Sequence, residues 1–371
     1  MNKPIHWIIP LVLTAFASCT ASSDGEEMKD EPVPVMLSPL VENRMETEDL
    51  TREATTATPY PGTEFKINIT PAAPAENAEK YKRYTYQLTA THTVGGEWEL
   101  TGTSGLPDAT TGIGPDDLNG AIPLWAGRTV KTTVNAWAGW ISDFSPAQPL
   151  DNEFLDQSTE ELLTRADLLH YRETFVPQEK LGMEMDRTFS FAFHHHLSQL
   201  NVKLVFGPKY DVLTPEALQG GIRVVGIFNT INSYTFHPDK TMTDAVTPGA
   251  PSTGVNTFPN KTTGEDLLAG VEYIKPCIES PAKDADGHYT VSFKALLVPQ
   301  KLETHTELVI IRMKQLNAAG NGFEDSKDSW FIYPLPEAET LESGKAYTLT
   351  LQIGSTTRNA VNATLQKGDW Q

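Results

Sequence analysis

Along most of this chain apolar and polar side chains alternate with a period of two, the mark of strands that bury one face and wet the other. Phe65, Ile67 and Ile69 alternate with Lys66 and Asn68, and Tyr84, Tyr86 and Leu88 alternate with Thr85, Gln87 and Thr89. Glu97–Leu100 follows a Gly95–Gly96 turn, and in Thr129–Trp137 the residues Val130, Thr132, Val134 and Ala136 share a face. The pattern restarts near Thr188 with Phe189, Phe191 and Phe193, then Leu200, Val202, Leu204 and Phe206. Ile222 and Val224 lead into Val225–Ile227, and Asp286–Gly287 marks a hairpin turn before Tyr289–Phe293. Leu308–Ile311 is apolar on both faces, which predicts a strand inside a sheet. Two more alternating runs close the chain: Tyr347, Leu349, Leu351 and Ile353, then Val361, Ala363 and Leu365. Only Asp151–Tyr171, with its scattered leucines, leaves room for a short helix. The pattern predicts an all-β chain of two β-sandwich domains, residues 53–185 and 186–371, built from antiparallel strands.

The N-terminus follows other rules. Lys3 and the α-amino group precede an apolar run from Trp7 to Phe16, and small residues then lead into Cys19. A cationic start, a short apolar core and small residues describe a secretory signal, residues 1–18. The run is too short for a membrane-spanning helix, which takes about 18–20 apolar residues. A cysteine at this place is the acceptor of a lipoprotein signal, so Cys19 is expected to carry acyl chains after cleavage before it. Residues 19–52 then form a tether and leader, in which Val33, Val35 and Leu37 share one face of a short strand. Pro34 and Pro39, lacking N–H groups, confine that strand to an edge or a terminal position. Glu42–Pro61, rich in Thr, Glu and Pro, reads as exposed linker.

Composition narrows the function. The 371 residues are 39% hydrophobic and 9% aromatic, enough for two buried cores. A formal net charge of −19 excludes nucleic acid and anionic membrane surfaces as partners, because both need clustered cations. Cys277 is the only cysteine besides Cys19, so a lipidated Cys19 leaves no intramolecular disulfide.

Candidate chemistry is sparse. His194, His195 and His196 are consecutive, and neighbours on a strand point to opposite faces, so the three cannot converge on one metal. Asp284–Gly287 reads as a turn; a calcium loop begun at Asp284 would need Gly where Tyr289 stands and Glu where Ala295 stands. There is no Gly-x-Ser-x-Gly, no phosphate-binding glycine loop and no His-Glu-x-x-His. No enzyme, metal or cofactor is expected. Trp125, Trp137 and Trp140 could line a glycan-binding surface or lie in the core, and the core is the commoner place for tryptophans on strands.

The segment Asp167-Leu168-Leu169-His170-Tyr171, followed by Phe193, His195, Leu197, Ser198, Leu200, Val202 and Leu204 in the order F-x-H-x-L-S-x-L-x-V-x-L, resembles the fimbrillin (Mfa-like) family of Bacteroidetes. Gly344-Lys345-Ala346-Tyr347 and the closing Ala363–Trp370 are similar to the same family's C-terminus, and the Ser-plus-acid run Ser22–Glu27 resembles a surface-export signal of Bacteroidetes lipoproteins. The resemblance implies two transthyretin-like Greek-key β-sandwich domains and a fimbrial subunit on the cell surface. It also implies export as a precursor held to outer-membrane lipid through Cys19, then cleavage by an Arg-specific protease. Arg52 is the first candidate for the cut and Arg44 the second. The strand carrying Val33, Val35 and Leu37 would leave. A donor strand of the next pilin subunit, from Tyr347–Ile353 (Tyr347, Leu349, Leu351, Ile353) or Val361–Leu365 (Val361, Ala363, Leu365) or both, would fill its groove. Other readings are an anchor or accessory subunit that keeps its leader, and a surface lipoprotein for a host or glycan ligand.

Overall fold

A computed structural model of the chain describes residues 33–35, 37–41, 64–72, 81, 84–92, 98–104, 123–139, 150–153, 155–183, 185, 187–228, 231–250, 272–335, 337–353 and 361–369. Cys19, Arg44, Arg52 and Trp140 lie outside the described residues. Period-two alternation produces what it predicts, a protein of many strands with a few short helices. The N-terminal half contributes β1 (Val33–Pro34), β2 (Leu37–Val41), β3 (Glu64–Pro71), β4 (Tyr86–His92), β5 (Trp98–Ser104), β6 (Leu124–Trp125), β7 (Thr132–Ala138), β8 (Leu150–Glu153), α1 (Glu160–Ala166), β9 (Leu169–Phe175), α2 (Pro177–Leu181) and β10 (Phe189–His195). Its main sheet runs β2-β10-β9-β7-β3-β4-β5, with β1 and β6 paired separately.

β10 serves two neighbours in turn. Phe189–Phe193 pair in parallel with Leu37–Val41, whereas His194 and His195 pair antiparallel with His170 and Leu169 of β9. A strand that changes partners midway turns a corner between two layers. One layer is thus β9-β7-β3-β4-β5; the other is built from β10 with the leader strand. Between them Phe65, Ile67, Ile69, Val134, Ala136, Tyr171, Phe189, Phe191 and Phe193 form one buried cluster.

The C-terminal half contributes β11 (Ser198–Phe206), α3 (Pro215–Gly221), β12 (Ile222–Ile227), β13 (Ser233–Phe236), β14 (Val246–Pro248), β15 (Cys277–Ile278), β16 (Ala282–Lys283), β17 (Tyr289–Leu297), β18 (Lys301–Leu302), β19 (Glu307–Leu316), β20 (Phe323–Pro334), β21 (Glu339–Thr340), β22 (Lys345–Ile353) and β23 (Val361–Asp369). One sheet runs β15-β17-β11-β22-β23 with β16 also on β17, and a second runs β12-β19-β20. Leu200, Val202, Phe293, Leu349 and Leu351 of the first share a core with Ile227, Val309, Ile311 and Phe331 of the second. Leu308–Ile311 lies in the middle strand and is buried on both faces, as its composition predicts. Around Asp284 the carboxylate accepts the N–H groups of Asp286 and His288, each at 3.0 Å, and Gly287 takes φ +84°, so this segment is a turn.

The expected antiparallel pairing needs correction at two places, and two features of the packing bear on where the halves meet. Apolar packing changes hands between Phe193 and Leu197 rather than near Met185, because Phe189, Phe191 and Phe193 close the first core while Leu197 enters the second. The predicted first domain also contains an excursion. Leu155, Leu163, Ala166 and Leu168 pack into the second core, with Gln157 tied to both backbone groups of Leu296, at 2.7 and 3.0 Å. The helix expected there is α1, capped by the Thr159 hydroxyl, which accepts the Leu162 N–H at 3.1 Å. Finally, two pairings are parallel, β2 with β10 and β11 with β22.

Candidate functional site

Val33, Val35 and Leu37 thread one strand of chain between two strands of the first half. Val33 and Pro34 pair with Trp125 and Leu124, and the Val35 N–H donates to Pro123 O at 2.8 Å. Two residues on, Leu37 begins the parallel ladder that ends at Val41 opposite Phe193. Pro39, opposite Phe191, is tolerated because among the described residues β2 pairs with β10 alone, leaving its other side as an edge. Val35 is only 3% exposed and Leu37 packs on the same cluster. Beneath them the Trp125 and Phe189 rings meet edge-on at 5.7 Å, and Phe189 stacks on Phe175 at 4.8 Å and 19°. The leader therefore covers an aromatic floor and satisfies backbone groups on both sides of it.

The two C-terminal runs are not equivalent. β22 lies between β11 and β23, and Tyr347, Leu349, Leu351 and Ile353 are all buried in the second core. β23 runs antiparallel to β22 from Val361, opposite Gln352, to Asp369, opposite Lys345, and ends the sheet. Leu365 is half-buried against the core, whereas Gln366, Lys367 and Gly368 are exposed. The side chains of Val361 and Ala363 lie outside the described residues.

A model of proteins described as fimbrillin-like matches residues 122–370. The chain belongs to the fimbrillin-like family. The match begins beyond the leader, so the leader's pairing is an observation separate from it. The chain is structurally similar to a candidate cell adhesion protein of Bacteroides ovatus, with a TM-score of 0.50, 16% identity and coverage of 92% of this chain and 99% of that one. It also resembles a candidate cell adhesion protein of Bacteroides uniformis (TM-score 0.48, 13% identity, 91% and 98% covered). The fimbrial anchor protein Mfa2 of Porphyromonas gingivalis aligns with a TM-score of 0.32 and 10% identity, over 91% of this chain and 98% of that one. No curated protein matches the sequence.

The residues that carry the fimbrillin-like signature meet where the two halves join. Asp167, at the C-cap of α1, holds His195 at the end of β10 through a carboxylate oxygen 2.9 Å from Nδ1. Ser198, which opens β11, donates to Glu342 O at 2.8 Å. Gly344 has φ +69° and gives its N–H to Leu197 O at 2.9 Å, and a Cβ there would stand 3.3 Å from His195 O. The Tyr347 hydroxyl donates to Thr340 O at 2.7 Å and accepts the Glu342 N–H at 2.9 Å. The signature thus fixes the handover from β10 to β11 against the turn that starts β22.

The histidine triplet divides where β10 ends: His194 is exposed, His195 meets Asp167, and His196, just past the strand, turns inward to His170 instead of sharing the face of His194. The partner of His196 was not legible, since His170 is 26 residues away and on another strand. Among the described residues no group of three or more His, Cys, Asp or Glu could hold a metal ion. Trp125 and Trp137 are buried, 1% and 0% exposed, so neither offers a stacking face to a glycan. No helix of the described residues is long and apolar enough to cross a membrane.

Proposed function

We propose that this chain is a structural subunit of a cell-surface fimbria, exported as a lipoprotein precursor and polymerised when a protease removes the leader and a neighbour's strand replaces it. The observation that carries this reading is the seat of Val33–Val41. Its first residues pair with β6, its last with β10, and between them Val35 fills the first core. Removing it would leave five consecutive residues of β10, Phe189–Phe193, without their ladder partner, beside an exposed aromatic floor. Unpaired N–H and C=O groups next to an apolar slot bind an alternating strand, because such a strand satisfies both. Donation from one copy to the next is a heterologous contact, which need not close and so propagates a filament.

The donor favoured by the geometry is Val361–Leu365. β23 ends its sheet and can leave it by giving up one ladder, whereas withdrawing β22 would empty the second core of Tyr347, Leu349, Leu351 and Ile353. Cys19 would hold the precursor to outer-membrane lipid, and Arg52 or, failing it, Arg44 would take the cut. The role is one of assembly and adhesion rather than catalysis.

The test is intact mass and oligomeric state of the soluble chain lacking Cys19, before and after an Arg-specific protease, with Arg52→Ala and Arg44→Ala variants beside it. Expected is a single cut that releases the leader, followed by a ladder of multimers, blocked by one of the two substitutions. A chain that is cut yet stays monomeric overturns polymerisation by strand replacement, and one that resists cutting leaves an anchor subunit that retains its leader.

A further inference from the structure

The join between the halves holds a buried chain of polar groups that polymerisation does not use. Asn135 of β7 donates through Nδ2 to Pro238 O at 2.6 Å, which turns its Oδ1 toward His170 Nε2, 2.9 Å away. An amide oxygen only accepts, so His170 must carry its proton on Nε2. A neutral imidazole then has a bare Nδ1, and this atom lies 3.2 Å from His196 Nε2, which must donate. The hydrogen bonds therefore run one way, from His196 to His170 to Asn135 to Pro238. They connect the β10–β11 link, β9, β7 and the segment after β13.

The site is tightly enclosed. His170 is 0% exposed, His196 6% and Asn135 3%. Phe236 of the second core stands edge-on to His170 at 5.1 Å and also approaches Trp137, at 6.2 Å. The charged and titratable neighbours are Arg172 on the strand of His170, His194 and His195 ahead of His196, and Asp167. The Asp167 carboxylate is engaged by His195 rather than by either buried ring, and the nearest fixed charge is the Arg172 guanidinium. A cleft of about 610 Å³ lined by His194, His195, His196, Thr243, Ser343 and Lys345 reaches the His196 side of the pair.

We propose that His170 and His196 form a proton-operated lock between the two halves, closed while both rings are neutral and released when the pair is protonated from the cleft. A proton on His170 Nδ1 would set two N–H groups face to face and break the chain. A proton on His196 Nδ1 would leave the bond but place a charge in the enclosed join. Burial first, and the neighbouring histidines second (with Arg172 also acting on His170), hold His170 down at about 2 and His196 at about 4, against an ordinary 6.5. The sign follows. Groups whose folded values are lowered bind protons on opening, so the closed join is fully favoured above pH 6.5. It loses ground as pH falls below that value, by about tenfold in the closing constant per pH unit for each histidine.

The test is hydrogen exchange of the His196 amide, which is bonded to Leu168 O at 2.9 Å. The full chain is followed from pH 7.5 to 4.5, with the amides of Ile67 and Leu349 as core references. Below pH 6.5 the opening constant at His196 is expected to rise by up to about a hundredfold per pH unit in the parent and about tenfold in His196→Gln. Equal slopes in the two proteins, or core amides opening in step with His196, would overturn the lock. Nitrogen-15 shifts of the imidazoles in the unsubstituted protein give a check that needs no variant. Both rings are expected neutral at pH 6 with the proton on Nε2, and a charged ring at either position refutes the proposal.

Discussion

Each half of this protein places a parallel strand beside one of two consecutive strands, and the two strands are protected very differently. β10 takes β2 from the start of the chain, and β11 takes β22 from its end. β22 is enclosed by β23, and its four inward side chains are at most 1% exposed. Among the described residues β2 has no partner on its far side, and the leader sends in chiefly Val35, just before it, and Leu37. One half is completed by strands that belong to its core, the other by a segment that comes before the family match and is joined to the rest through residues 42–63. Under the proposed function, the first half would give up its complementing strand while β22 stays in place.

The comparison can be broken at four points, in order of effect. Cleavage of the full chain after Arg52 is expected to separate the two halves in calorimetry, lowering the transition of the first by ten degrees or more, on the order of several kcal/mol. The second half should melt unchanged. A chain that keeps a single unshifted transition after losing its leader would mean β2 contributes little. Leu349→Ala should cost about 2–5 kcal/mol in urea unfolding, as for other large-to-small core changes. Leu365→Ala, on the half-buried edge strand, should cost clearly less, about 1 kcal/mol. Equal costs would remove the distinction between β22 and β23. Gly344→Ala forces a side chain into φ +69° and against His195 O, so a loss of about 1–2 kcal/mol is expected, read by thermal shift.

The smallest effect is at the exposed end of β19 and β20. Asp328 there accepts from Arg312 Nε at 2.7 Å and Arg223 Nε at 3.0 Å. Burial raises its carboxyl, but the two arginines outweigh burial and hold it below the usual range. Stability from this group is thus present above the ordinary carboxylate value and lost as pH falls through the lowered one. Asp328→Asn should cost about 1 kcal/mol at pH 7 and nothing at a pH low enough to protonate the parent, seen by comparing the two unfolding midpoints across that range.

Alternation of apolar and polar residues, read by itself, determined the class of the fold, most of its strands and the interior place of Leu308–Ile311. This pattern is local: a strand reports its burial through its own neighbours at i and i+2. The edge or terminal position of the leader strand was legible from Pro34 and Pro39, which lack N–H groups, whereas the signature residues were legible only through the family resemblance. Pairing is nonlocal, and only the tertiary structure decided it. Alternation says that Phe189–Phe193 is a strand, not that it leaves Leu37–Val41 to meet His170. Thr129–Trp137 reads as half-buried, yet Asn135 and Trp137 on its other face are covered by the second half, through Pro238 and Phe236. The link from His196 to His170 to Asn135 depends on which strands lie side by side and in what register. Both are selected by the burial free energy of the whole assembly rather than by any one segment.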